Sequence, residues 1–189
     1  TGKYALCDCT GYRLDGTDTE PSMYVGIIVN RSLADTTDSV TGLGDVHALV
    51  NAIGEMRRVP HEAGFIAIKV DDFAEVNARF GFDAGDRVLA ESAACLMDCS
   101  RGKGRLFRST GPTFVALFDE LGPEAIDEIA SDIERFLGSP VLIGSLEYQP
   151  PIRAATLHLD GVDRQPVSIL NELKALLGKA VQVPGTKLD

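Results

Sequence analysis

"FIAIKVDDFAEVNARFGFDAGDRVL", residues 65 to 89, decides how the chain folds. Its first six residues form the unbroken apolar run that a strand buried on both faces requires. Asp71 and Asp72 end that run, and the pattern then becomes helical. The spacing predicts a short helix over 72–80. A second opens after Asp83 and runs to about Cys99, with Val88, Leu89, Ala93 and Leu96 on one face. A buried strand leading straight into two consecutive helices is an α/β signal, with acidic residues at the junction.

The alternation continues outward. Upstream, "DVHALVNAIGEMRRV" (45–59) carries Val46, Leu49, Val50, Ile53 and Met56 at helical spacing. Downstream, "RSTGPTFVALFDE" (108–120) reads as two extended runs turning at Thr110, Gly111 and Pro112. "GPEAIDEIASDIERFLG" (122–138) places Pro123 at a first helical position, with Ile126, Ile129, Ile133, Phe136 and Leu137 on one stripe. "PVLIG" (140–144) and "PIRAATLHL" (151–159) read as extended, and a last helix covers 167–177. The order αβααββαββα implies one mixed sheet flanked by helices. Its central strand, 65–70, should lie beside the hairpin strands, with Ile66 and Ile68 buried and its end facing the 110–113 turn.

Residues 1–35 stand apart as a strand pair about a Gly- and Asp-rich turn, the second strand at 24–30, too short to build a core. They are expected to be a remnant of an upstream, PAS-like sensor domain or a hairpin leaning on the main domain. Residues 36–189 form that main domain.

Composition narrows the function. The chain has 189 residues, is 44% hydrophobic and carries a formal charge of -10. That charge argues against a nucleic-acid surface, which needs clustered Lys and Arg. No apolar run approaches the ~20 residues of a membrane span, and no signal-peptide pattern opens the chain, so a cytoplasmic location is expected. Cys95 and Cys99 fall four apart in a helical pattern, and with Cys7 and Cys9 they read as reduced, structural thiols. His47, His61 and His158 are scattered. Neither a metal nor a cofactor is expected.

Three separated motifs resemble the GGDEF domain of bacterial diguanylate cyclases in order and spacing: "DSVTGL" (38–43), "VDDFAEVNARFGFDAGDRVL" (70–89) and "RSTGPTF" (108–114). The resemblance covers about residues 38 to 180. It implies a nucleotide-cyclase-like α/β (α+β) fold with a central, mostly antiparallel, five-stranded sheet. In that family a strand ends in D-x-D-x-F, leads into F-K-x-I-N-D, and the G-G-D-E-F signature turns a hairpin. Two such domains face each other, each holding one GTP, and join them into cyclic di-GMP.

Carried across residue by residue, the match is degenerate. Phe73 holds its place, but the first aspartate of D-x-D falls on Lys69, leaving Asp71 alone. The signature becomes Thr110, Gly111, Pro112, Thr113 and Phe114, with both acidic positions lost. Magnesium takes oxygen ligands, mainly carboxylates and phosphates, and Lys69, Pro112 and Thr113 offer none. The inhibitory R-x-x-D motif retains only Arg101, which, with Lys103, Arg105 and Arg108 nearby, reads as part of a solvated basic face. Asn77 and Asp86 match the guanine-contacting pair. Their local reading is structural: Asp83 and Asp86 have the spacing of a helix cap and its third residue, and Asn77 closes the preceding helix.

The resemblance therefore implies a catalytically inactive GGDEF-like domain acting as a regulatory or interaction module. The alternative is a guanine-nucleotide sensor or residual cyclase, with Asn77, Asp86, Lys69, Asp71 and Phe73 as the nucleotide-binding set. Expected partners are an upstream sensor domain, a downstream signalling domain, a second copy of the chain, and weakly bound GTP or GDP.

Overall fold

The computed structural model describes residues 7–14, 23–30, 36–56, 62–100, 102–137, 140–160 and 165–186. His61 and Arg101 lie outside these, as do the thiol groups of Cys7 and Cys9. The chain divides into two compact units, 1–35 and 36–189. In the first, β1 (Cys7–Leu14) pairs antiparallel with β2 (Met23–Asn30).

The second unit is built on β3 (Glu62–Val70), the strand of the opening motif. It lies between β5 (Thr113–Asp119) and β8 (Ile152–Asp160), and β4 (Arg105–Arg108) adds to the far side of β5. All three pairings are antiparallel. Side chains of β3 alternate between two cores. Phe65 and Ala67 meet Leu49 and Ile53 of α1 (Val46–Met56) and Leu173 and Leu177 of α5 (Pro166–Lys179). Ile66, Ile68 and Val70 meet Val76 of α2 (Phe73–Phe80), Val88 and Leu89 of α3 (Phe82–Ser100), and Ile126 and Ile133 of α4 (Pro123–Leu137). Residues 65 to 68 and Val70 are all fully buried, so the apolar run is continuous because helices cover both faces.

Four expectations need correction. The described residues put four strands in the central sheet, not five. "PVLIG" instead becomes β6 (Val141–Ile143), which folds onto β7 (Leu146–Tyr148) as a separate hairpin, because Gly144 supplies a positive φ of 63° for a tight turn. α3 begins at Phe82, so Asp83 lies inside its first turn and does not cap it. On α4 the buried stripe is Ile126, Ala130, Ile133 and Leu137, while Phe136 is half exposed. Finally, Arg108 is not part of a solvated face, whereas Arg105 stays at the surface with its side chain 39% exposed. Arg105 bridges Glu55 and Asp119, and Arg108 is drawn inward to Asp38.

Candidate functional site

The candidate site forms where β3 ends. Its register places Lys69 opposite Thr113 on one side and Arg153 on the other. The Val70 N–H donates to the Pro112 carbonyl at 3.0 Å, and the Asp71 N–H to the Pro151 carbonyl at 2.8 Å. The strand end, the 110–113 turn and the start of β8 are thus joined through the backbone.

The signature turn is closed by the Thr113 N–H donating to the Thr110 carbonyl. Gly111 takes a φ of 54°, which glycine adopts at little cost. Pro112 loses nothing by lacking an N–H, since the closing bond comes from the next residue, and its carbonyl anchors β3. Phe114 is fully buried beneath the turn. Arg108 braces the same corner. Its Nε donates to the Gly111 carbonyl at 2.9 Å, and its Nη1 lies 3.1 and 3.0 Å from the two Asp38 carboxylate oxygens. Asp38 also accepts the Thr41 N–H and hydroxyl, which folds the "DSVTGL" loop onto the hairpin. Burial raises the Asp38 carboxyl, but the Thr41 and Arg108 hydrogen bonds outweigh it and hold its pKa below the ordinary carboxylate value.

Asp71 lies at the strand end, and its side chain is 6% exposed. One oxygen lies 3.1 Å from Lys69 Nζ; the other accepts Arg153 Nε at 2.6 Å and Gln182 Nε2 at 2.8 Å. Burial pushes this carboxyl up, and the bonds from Arg153, Lys69 and Gln182 pull it further down, so its pKa falls below the ordinary value. This donor set does not fit a divalent cation. Two fixed positive charges already occupy the faces of the single carboxylate, and a third cation there meets like charge.

Asn77 and Asp86 part company. Asp86 is exposed on α3. Asn77 is half-buried, and its Oδ1 is buried without a hydrogen-bond partner. That oxygen sits over Gly85: a Cβ there would overlap Asn77 Oδ1 and come 3.1 Å from the Phe73 ring. Gly85 is therefore a close-approach residue within α3, and the turn between the helices belongs to Gly81, at φ 85°. Asn77 does close α2, through its carbonyl, which accepts the Gly81 N–H. Cys95 and Cys99 have their sulfurs 4.0 Å apart, and burial with the neighbouring Cys99 pushes the Cys95 thiol up to about 12, so it stays protonated.

Sequence reasoning missed Arg153, Gln182, Asp38 and the inward turn of Arg108. Asp38 was within reach, because an aspartate three residues before Thr41 has local capping spacing. Arg153 and Gln182 lie 82 and 111 residues from Asp71, with no local signal.

An antiparallel sheet with helices on both faces and a hairpin turn beside its central strand end is an architecture compatible with a nucleotide-cyclase-like α/β domain. The family model for the GGDEF domain of diguanylate cyclases matches residues 35–147. The chain belongs to that family. Among curated proteins it is similar to the cyclic di-GMP phosphodiesterase PdeR of Escherichia coli, 29% identical over 62% of this chain and 18% of PdeR. It is also similar to the diguanylate cyclase DgcS of Shewanella oneidensis, 30% identical over 42% of this chain and 28% of DgcS. The chain thus spans less than a third of either relative. Among solved structures, the FimX GGDEF domain from Pseudomonas aeruginosa aligns with a TM-score of 0.73 at 16% identity, over 78% of this chain and 94% of that one. The diguanylate cyclase SiaD from the same organism, solved with its activator SiaC, gives 0.71 at 20% identity, over 78% and 58%. At those identities the structures speak for the fold alone. Among the described residues, no helix is long and apolar enough to cross a membrane.

Proposed function

We propose that this GGDEF domain is catalytically inactive and works as a regulatory or interaction module in cyclic di-GMP signalling. One observation carries the reading: Asp71, the one carboxylate at the strand end that matches the family's D-x-D motif, is closed by Lys69, Arg153 and Gln182, and the 110–113 turn beside it carries no acid. Joining two GTP molecules needs divalent ions to bear the developing charge on the phosphates. Here that role has no ligand set, and the residues serve packing and charge closure instead. In this reading the domain answers to an upstream sensor and acts on a downstream domain or on a second copy.

The test is turnover of GTP with magnesium or manganese, followed by chromatography. No cyclic di-GMP above a no-protein control is expected. Metal-dependent product that disappears in Asp71→Ala would sink the proposal.

A second reading rests on Asn77 and Asp86, which match the family's guanine-contacting pair, and on the cations Lys69 and Arg153 at the strand end. Aspartate accepts from the N1–H and N2–H of guanine, and the cations offset phosphate charge without metal. This reading expects weak, magnesium-independent binding of GTP or GDP in preference to ATP, with the preference lost in Asp86→Ala. Calorimetry showing no guanine-nucleotide heat at millimolar ligand, or heat only with magnesium, removes it.

A further inference from the structure

Between α3 and α4 lies a cleft of about 460 Å³ whose lining includes none of Lys69, Asp71, Arg153 or Gln182. Its floor is apolar, with Cys95, Leu137 and Val141, and one wall is Phe136, which is 49% exposed. Its rim is acidic. Glu91 and Asp98 are exposed on α3, and Asp132 faces them from α4. Among the described residues no Lys, Arg or His lines it, although Arg135 reaches its edge through Asp132.

Two observations say what chemistry suits this cleft. Glu91 and Asp98 have no ion-pair partner among the described residues, whereas Asp71 and Asp38 are closed by cations from within the domain. The chain itself also shows how a cation sits at the rim: the Arg135 guanidinium pairs with Asp132 at 2.6 Å and lies 5.0 Å from the Phe136 ring centroid. A groove between two helices, apolar below and acidic above, is the complement of a helix with an apolar stripe flanked by Lys and Arg. A volume of this size takes a few side chains of such a stripe.

We infer that the α3/α4 cleft is a docking groove for a basic amphipathic helix of a partner protein. The inference rests on the regulatory reading above and names the chemistry of its partner. Apolar side chains seat on Cys95, Leu137, Val141 and Phe136, while Lys or Arg reach Glu91 and Asp98. Charge makes the encounter fast and salt-sensitive, and the apolar floor supplies the residence time.

The test uses the whole chain and a labelled Leu/Lys amphipathic peptide of about 15 residues, long enough to hold a helix, read by fluorescence anisotropy. A Leu/Glu peptide of the same pattern is the counter-probe. Binding of the Leu/Lys peptide alone is expected, weakened roughly tenfold or more by Glu91→Lys with Asp98→Lys and by Phe136→Ala. The paired reversal Glu128→Lys with Glu134→Lys, on exposed positions outside the cleft, should change it less than about threefold. Should the double reversal at 91 and 98 not fold, Glu91→Gln with Asp98→Asn serves in its place with a smaller loss. Equal loss at both pairs means a net-charge effect and overturns the groove, as does equal binding of both peptides or no binding at all. GTP turnover is measured on the same preparations. Absent peptide binding with absent turnover removes only the groove, whereas cyclic di-GMP formation removes the regulatory reading itself.

Discussion

The end of β3 and the α3/α4 cleft treat carboxylates in opposite ways. At the strand end Asp71 is 6% exposed and meets Lys69, Arg153 and Gln182. At the cleft Glu91 and Asp98 stand in solvent over an apolar floor without such partners among the described residues. A buried charge must be paired or it destabilises the fold by several kcal/mol, while an exposed one is solvated by water and stays available. Closed charge of the first kind supports structure. Open charge of the second kind is free to meet something else.

The largest expected effect tests that closure directly. Phe114 follows the 110–113 turn and is fully buried beneath it. Phe114→Ala should lower stability by about 3–5 kcal/mol, and Phe114→Leu by much less. Denaturant unfolding measures both. A loss under ~1 kcal/mol for the alanine variant would show a turn that does not depend on its core residue.

Much of this was legible in the sequence, and the boundary of legibility is physical. The β3 run, the α2 and α3 spacing and the α4 stripe are local patterns, set by which face each element buries, and they appear at 62–70, 73–100 and 123–137. The closeness of Lys69 to the turn was also readable, because antiparallel pairing of β3 with the hairpin fixes it. What closes Asp71 was not. Arg153 arrives through the register of β8, and Gln182 through a segment beyond α5, where Val183 exchanges backbone hydrogen bonds with Ile152. Neither residue differs locally from any surface polar residue. The basic cluster at 101–108 misled for the same reason, since Arg108 finds Asp38 only after seventy residues of chain have folded.

The next effect separates the two cations on Asp71. Arg153 makes the shorter contact and is the less exposed of the two, so Arg153→Met should cost about 1–3 kcal/mol as a hydrogen bond to a charged, buried acceptor is lost. Lys69→Met should cost less, because Lys69 is 45% exposed and partly screened. The double variant should lose more than the sum, since it leaves Asp71 with Gln182 alone. A double-mutant cycle in denaturant reads this coupling, and strict additivity would mean that the cations do not share the carboxylate.

Acid should find the same corner. Asp71 and Asp38 both have folded pKa values below the unfolded one. Their stabilisation is fully present above the unfolded value of about 3.9 and fades as pH falls through the folded values, where the folded state must take up protons. Thermal midpoints should therefore drop below about pH 4. In Asp71→Asn the midpoint near neutral pH should be lower and the acid slope flatter. An unchanged slope would place the acid sensitivity elsewhere in the molecule.

The smallest effect is expected at the cleft, and its sign carries the argument. Asp98 sits in the last turn of α3, which ends at Ser100 and has no basic residue in that turn. A negative charge there opposes the negative end of the helix dipole, which costs about 0.3–1 kcal/mol at an exposed position. Asp98 also adds a like charge to a rim already holding Glu91. Asp98→Asn should therefore stabilise the isolated domain by a few tenths of a kcal/mol, and the gain should shrink as salt screens both terms. A carboxylate that the fold holds at a cost differs from Asp71, which the fold closes with its own cations. If Asp98→Asn instead destabilises by more than about 0.5 kcal/mol, Asp98 is supporting structure, and the contrast between closed and open charge fails at its open end.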